Sequence, residues 1–160
     1  MDDMEKMFRA LLDGLAAALG LPEISTAGDG RDALVAMDDF ELCLRCVSPG
    51  DVLLFTVVAP LPGNNRQEVM AALLDANTFY YQTQGFTLAA REDTGVTLQG
   101  LLSLRVLDRD NVVTFVQNFL NVADYWQKFC QDKEKEAGSS VSQDSLRRPD
   151  DVRGMLYLKA

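Results

Sequence analysis

The side chains with most chemical potential in this 160-residue chain are three cysteines and several adjacent acid pairs, and there is no histidine. Cys43-x-x-Cys46 has the spacing of a zinc knuckle or a redox pair. It lies within an apolar run, residues 40–47, that reads as a strand, and positions three apart on a strand point to opposite faces, so the two sulfurs cannot share a metal. Cys130 falls on an apolar helical stripe. All three read as structural thiols, and their odd number argues against a disulfide framework. The acid pairs Asp2-Asp3, Asp38-Asp39, Glu92-Asp93 and Asp150-Asp151 have the residue type that glycosidase chemistry uses. Each sits at a helix cap or in a turn, where a carboxylate meets orphan N–H groups or solvent. Without histidine the commonest general base and zinc ligand are missing, and no Gly-rich phosphate loop of the Walker type is present. The expectation is a protein without catalytic residues, cofactor or metal.

The elements that carry these residues follow from periodicity. Asp2 or Asp3 can cap a first helix whose Met4, Met7, Phe8, Leu11, Leu12, Leu15 and Leu19 make one apolar stripe, stopped by Gly20 and Pro22. Three β-rich runs follow, residues 33–37, 40–47 and 52–59, divided by Asp38-Asp39 and by Ser48-Pro49-Gly50-Asp51, and they predict an antiparallel meander. Pro60 to Asn64 end it and a second helix is predicted over 65–81. A hairpin over 86–91 and 96–106 turns at Glu92-Asp93-Thr94-Gly95. Asp108 then caps a third helix with Val112, Phe115, Val116, Phe119, Ala123, Trp126 and Cys130 on one face. The predicted class is α+β, in the order α-β-β-β-α-β-β-α, with a twisted antiparallel sheet packed by helices.

The chain carries 15 Lys and Arg against 24 Asp and Glu, a net charge of −9. From Asp132 onward there are six basic and six acidic residues, so the whole excess belongs to residues 1–131. This divides the chain into one domain, 1–131, and a charged, flexible tail, 132–160, whose residues 155–158 (Met-Leu-Tyr-Leu) are apolar enough to dock. A body this acidic repels phosphate backbones and anionic lipid, which excludes nucleic acid and membrane surfaces as partners. No run approaches the roughly 18 apolar residues of a membrane span, and the acidic N-terminus is unlike a signal peptide, so a cytoplasmic location is expected.

Two apolar surfaces exceed what a single core needs. The run 52–59 is apolar on both faces. With Leu53, Phe55 and Val57 toward the helices, Val52, Leu54, Thr56 and Val58 face outward beside Cys43 and Val47, either covered by the tail or crossing loops or left as a patch for a partner. The second helix ends in Phe79, Tyr80 and Tyr81, three aromatics around one turn that cannot all reach one core, and a self-complementary dimer contact is expected there.

These residues resemble a family. Leu73-Leu74-x-x-Asn77-x-Phe79, Gly85-x-x-Leu88, Asp93-Thr94-Gly95-Val96-x-Leu98, Leu107-Asp108 and Phe115-x-x-x-Phe119-x-x-x-Ala123-x-x-Trp126 are similar to the class I chaperones of bacterial type III secretion, the Tir-chaperone (CesT-like) family, over residues 4–129. The resemblance implies a homodimer joined through the second helix and the hairpin, with Leu74, Asn77, Phe79, Tyr80, Tyr81 and Phe86 at the interface. It implies binding of the N-terminal region of secreted effectors in extended form, without ATP, and hand-over for export, with the export-apparatus ATPase as a further candidate partner. The expected effector-binding residues are Met4, Met7, Phe8, Met37, Cys43, Val47, Val52, Leu54 and Val58: the effector adds a strand to an open sheet edge and seats apolar side chains beside the first helix and on the meander. The alternative is a regulatory adaptor of the same fold that sequesters a signalling or transcriptional partner. The tail exceeds what the family's core requires.

Overall fold

The computed structural model describes residues 3–37, 39–48, 50–105 and 109–139. Helix α1 (Asp3–Leu19) forms where the spacing predicts it: Phe8, Leu11, Leu12 and Leu15 are buried on one stripe, and Asp3 and Glu5 in the first turn complement the positive end of the helix dipole. Gly20 ends it at φ 68°, with the Leu21 and Gly20 amides donating to the carbonyls of Ala16 and Ala17, a Schellman stop.

The strands are β1 (Thr26–Ala27), β2 (Asp32–Met37), β3 (Phe40–Ser48), β4 (Asp51–Ala59), β5 (Thr87–Arg91) and β6 (Gly95–Ser103). They form one antiparallel sheet in the order β1-β2-β3-β4-β6-β5. Helix α2 (Arg66–Ala76) sits beside β5, and α3 (Arg109–Ser139) crosses β4 and α1. The α+β class and the element order are those expected, with the two-residue β1 added ahead of the meander. The core lies between one face of the sheet and the helices: Leu42, Leu44, Val52, Leu54, Leu98 and Leu102 meet Phe8, Leu12, Leu15, Val116, Phe119 and Trp126. Gly100 on β6 lies beneath the Phe86 ring, whose Cδ1 would stand 2.7 Å from any Cβ there, and that ring in turn meets Phe115 and Phe119 edge-on.

The face assignment of β4 is the reverse of the sequence expectation. Val52, Leu54, Thr56 and Val58 are at most 2% exposed and point into the core, whereas Leu53, Phe55 and Val57 lie on the outer face. Register is the cause. Ser48 pairs with Asp51 across the tight turn, and continuing that ladder would set Cys43 opposite Thr56. A bulge at Val47 intervenes, so that Cys46 pairs with Val52 and Cys43 with Phe55. One extra residue on β3 exchanges the faces of the whole partner strand.

Three boundaries also differ. Helix α2 stops at Ala76 and not at residue 81, because Asn77 turns its side chain onto β5 and Phe79 and Tyr80 adopt positive φ, 57° each. Strand β6 ends at Ser103, short of residue 106. Helix α3 runs on to Ser139, past the expected start of a flexible tail at Asp132. That extension is held: the Asn65 amide side chain donates to the Lys133 carbonyl, the Asn64 amide to Glu134, and the Lys133 ammonium pairs with both Glu68 and Glu136. The Asp2 and Asp108 caps and the apolar end at 155–158 lie outside the described residues, as does the side chain of Met4.

Candidate functional site

The alternation of β3 builds an uncovered surface among the described residues. Leu42, Leu44 and Cys46 enter the core, so Glu41, Cys43, Arg45 and Val47 point away from the helices. The pairing extends this outer face sideways. Cys43 stands opposite Leu34 on β2 and Phe55 on β4, and Leu53 stands opposite Arg45 and Leu101. Leu101 is 62% exposed, Leu34 52%, Val47 49% and Val57 43%, with Cys43, Leu53 and Phe55 partly exposed among them. All three helices contribute their buried residues to the core rather than to this face. Apolar side chains brought together by four strands are more than the scattered exposed hydrophobes of an ordinary surface. One bidentate ion pair crosses the face, Arg45 to Asp32 at 2.7 and 2.9 Å, and the Arg45 guanidinium holds the Asp32 carboxyl below its ordinary range. The pair is solvent-exposed and contributes little to stability.

Beside this face lies a groove of about 470 Å³, lined by Leu19 and Leu21 at the end of α1, Met37 and Phe40 at the β2–β3 turn, and Leu120 and Asp124 of α3. Its floor adjoins an open edge: β1 pairs only with Asp32 and Ala33, so Leu34 to Met37 have no strand on their outer side among the described residues. Unpaired strand edges are templates for a further strand.

A second surface is at the opposite end. Asn77 accepts from the Leu88 amide and donates to the Leu88 carbonyl, both at 2.9 Å, which closes the outer edge of β5 and fixes the end of α2. Immediately beyond, two consecutive aromatic residues are held at positive φ, a conformation that bulky side chains rarely adopt. The result is display: Phe79 is 79% exposed, Tyr80 50%, Tyr81 86% and, on the outer side of α2, Leu74 73%.

The expected site residues therefore divide. Cys43 and Val47 are on the open face, Met7 and Met37 are partly exposed near α1 and the groove, and Leu74, Phe79, Tyr80 and Tyr81 are displayed together. Val52, Leu54 and Val58 are core residues through the register shift, and Phe8, 1% exposed, belongs to the buried side of α1. Phe86 is 3% exposed on Phe115 and Phe119, and Asn77 is a clasp within the chain. Sequence reasoning missed Leu34, Leu53, Phe55, Val57 and Leu101. The charged Glu41 and Arg45 mark the solvent side of β3 and so point to Leu34 across the β2 pairing, but the residues of β4 and β6 carried no such signal, because their faces depend on the bulge.

Among the described residues no group of three His, Cys, Asp or Glu is placed to hold a metal, and none of the helices is long and apolar enough to cross a membrane. Cys43 and Cys46 lie on opposite faces as their spacing requires, and desolvation raises all three thiols, Cys130 to about 11. Such thiols are poor nucleophiles at neutral pH. Asp93 is drawn down to about 2 by hydrogen bonds from Arg91 and Thr94, an effect internal to the hairpin turn.

Solved structures share this fold. A chain of the ExsC–ExsE complex superimposes with a TM-score of 0.68 at 23% identity, covering 81% of this chain and 97% of its own. A chain of the HopA1–SchA chaperone–effector complex gives 0.63 at 18% identity, covering 80% and 98%. The Yersinia pestis type III secretion chaperone SycH in complex with a stable fragment of YscM2 gives 0.59 at 20%, covering 72% and 96%. No curated protein matches the chain by sequence. The family model of the Tir chaperone proteins (CesT) matches residues 10–127, most of the chain and all but the first turns of α1 and the end of α3, and the chain belongs to that family.

Proposed function

We propose that this protein is a cytoplasmic chaperone that binds the N-terminal region of a type III secreted effector in extended form, stabilises it and delivers it for export, without enzymatic activity or ATP. The observation that carries the reading is the apolar outer face of the sheet, Leu34, Cys43, Leu53, Phe55, Val57 and Leu101, continuous with the open edge of β2 in a chain of the Tir chaperone family. An extended segment gains main-chain hydrogen bonds along such an edge and buries alternate side chains, the mode by which peptides augment sheets. Ordering the segment costs about 2 to 5 kcal/mol, which burial of well over ~1,000 Å² offsets. A second copy supplies more such surface, and the displayed Leu74, Phe79, Tyr80 and Tyr81 are the contact we assign to a homodimer. The relatives in complex with an effector or a partner fragment support the same use of the fold. The net charge of −9 favours basic or mixed-charge effector segments and disfavours nucleic acid and anionic membrane.

Affinity capture of the intact chain from its native cytoplasm, limited proteolysis of what it retains and mass spectrometry test the reading. The expected result is a protected N-terminal fragment of an exported protein. A captured folded regulator, protected throughout its length, would instead establish the regulatory adaptor.

A further inference from the structure

We propose that the groove between the end of α1, the β2–β3 turn and α3 is occupied, when no other ligand is present, by the chain's own apolar end, residues 155–158, added as a strand to the open edge of β2. The groove offers the side chains of Leu19, Leu21, Met37, Phe40 and Leu120 among the polar Asp39, Asn121 and Asp124, next to the outer edge of β2 at Ala36 and Met37, where among the described residues β2 pairs with β3 alone. The segment Met155-Leu156-Tyr157-Leu158 can place alternate apolar residues against the groove, and its two ends carry Arg153 and Lys159. Charge is complementary. The groove rim holds Asp39 and Asp124, the latter also paired with Lys128, on a body that carries the chain's whole negative excess.

Reach decides in favour of an intramolecular occupant. Helix α3 passes the groove at Asp124 and ends at Ser139, so the tail starts about 22 Å beyond it at 1.5 Å per helical residue. The intervening residues 140–152 span up to about 45 Å when extended, roughly twice the return distance. A tether of this kind presents its end at an effective concentration on the order of millimolar, so even a weak contact of ~100 μM is about nine-tenths occupied. The consequence for cargo rests on the effector reading: an effector strand would bind only by displacing the tail. The docking itself does not depend on that reading, and its test uses no effector.

In the full chain, a photo-crosslinking benzoyl-phenylalanine replaces Tyr157, and the crosslinked peptides are mapped by mass spectrometry in a mixture of isotopically light and heavy protein. The proposal expects crosslinks within one chain to residues 19–21, 36–40 or 120–124. Crosslinks elsewhere, between chains, or none above background overturn it. A labelled synthetic peptide of residues 151–160 is then titrated into the unaltered chain and into the full-length double variant Met155→Asp and Leu158→Asp. Release of the tethered competitor should let the peptide bind the variant about tenfold more tightly. Equal affinity, or no binding to either, overturns the proposal, and neither outcome bears on capture of effectors.

Discussion

The register shift at Val47 makes the sharpest quantitative contrast in the molecule, between adjacent leucines of one strand. Leu54 is fully buried, opposite Leu44 on one side and Gly100 on the other, while Leu53 faces outward opposite Arg45 and Leu101. Truncating Leu54 to alanine removes buried methyl groups and leaves a cavity between strands that are hydrogen-bonded on both sides and cannot collapse freely. Leu→Ala substitutions of this kind cost about 2 to 5 kcal/mol, and the central position of β4 places the expected value at about 3 to 4. Leu53→Ala removes side chain that is already partly in water and should cost about 1 kcal/mol or less. With a urea m-value of about 2 kcal/mol/M, appropriate to a small domain, the unfolding midpoint should fall by ~1.5–2 M for Leu54→Ala and by no more than ~0.5 M for Leu53→Ala. Both midpoints are read by circular dichroism at one protein concentration, because association would make them concentration-dependent. Equal shifts, or the larger shift at Leu53, would refute the bulged register and with it the assignment of the open face.

Other consequences are equally direct. Asn77→Ala leaves the Leu88 amide and carbonyl without the side chain that satisfies both, and should destabilise by about 2 kcal/mol in the same urea assay; a neutral result would show that the clasp is dispensable. Phe79→Asp with Tyr81→Asp should convert the proposed dimer into a folded monomer by light scattering with an unchanged far-ultraviolet spectrum, since both rings are exposed, and persistence of a dimer would remove this turn from the interface. The Asp93 carboxyl, held at about 2 against an ordinary 3.8, makes a contribution to stability that is fully present above pH 4 and disappears as pH falls from about 4 to 2; proton NMR titration should place its midpoint there, and a midpoint near 3.8 contradicts the Arg91 pairing. Toward a disulfide reagent at pH 8, the partly exposed Cys43 should react first and Cys130 only on unfolding, while rapid reaction of Cys130 in the folded chain would contradict its burial.

The element order was legible because most segments state their period clearly: α1 by its 3-4 stripe, β3 by charged Glu41 and Arg45 between Leu42, Leu44 and Cys46, and the β5–β6 hairpin by its turn around Gly95. The faces of β4 were not legible from β4 itself, since in residues 52–59 every position but Thr56 is apolar and there is no usable alternation. Only the pairing with β3 decides them, and a single bulge, which no residue type announces, reversed the answer. The end of α2 was misplaced for a related reason. Residues 77–81 are weak helix formers, so local sequence does not fix where the helix ends, and the hydrogen bonds of Asn77 to Leu88, which are tertiary, fix it at Ala76. Tertiary contact likewise moved Phe86 inward onto Gly100 while its neighbours in sequence, Phe79 to Tyr81, were displayed. The helical extension through residues 132–139 depends on Lys133 meeting Glu68 of another helix, a contact that local composition cannot reveal.

In the proposed function the outer face of the sheet and the edge of β2 together seat an extended effector segment. Amide hydrogen exchange, compared between the chain alone and the captured chain–effector complex, tests it most directly. Slowed exchange at residues 34–37, with side-chain burial sensed by protection of Cys43 from alkylation, is the predicted result. Unchanged exchange along that edge together with an equally reactive Cys43 in the complex would contradict the account.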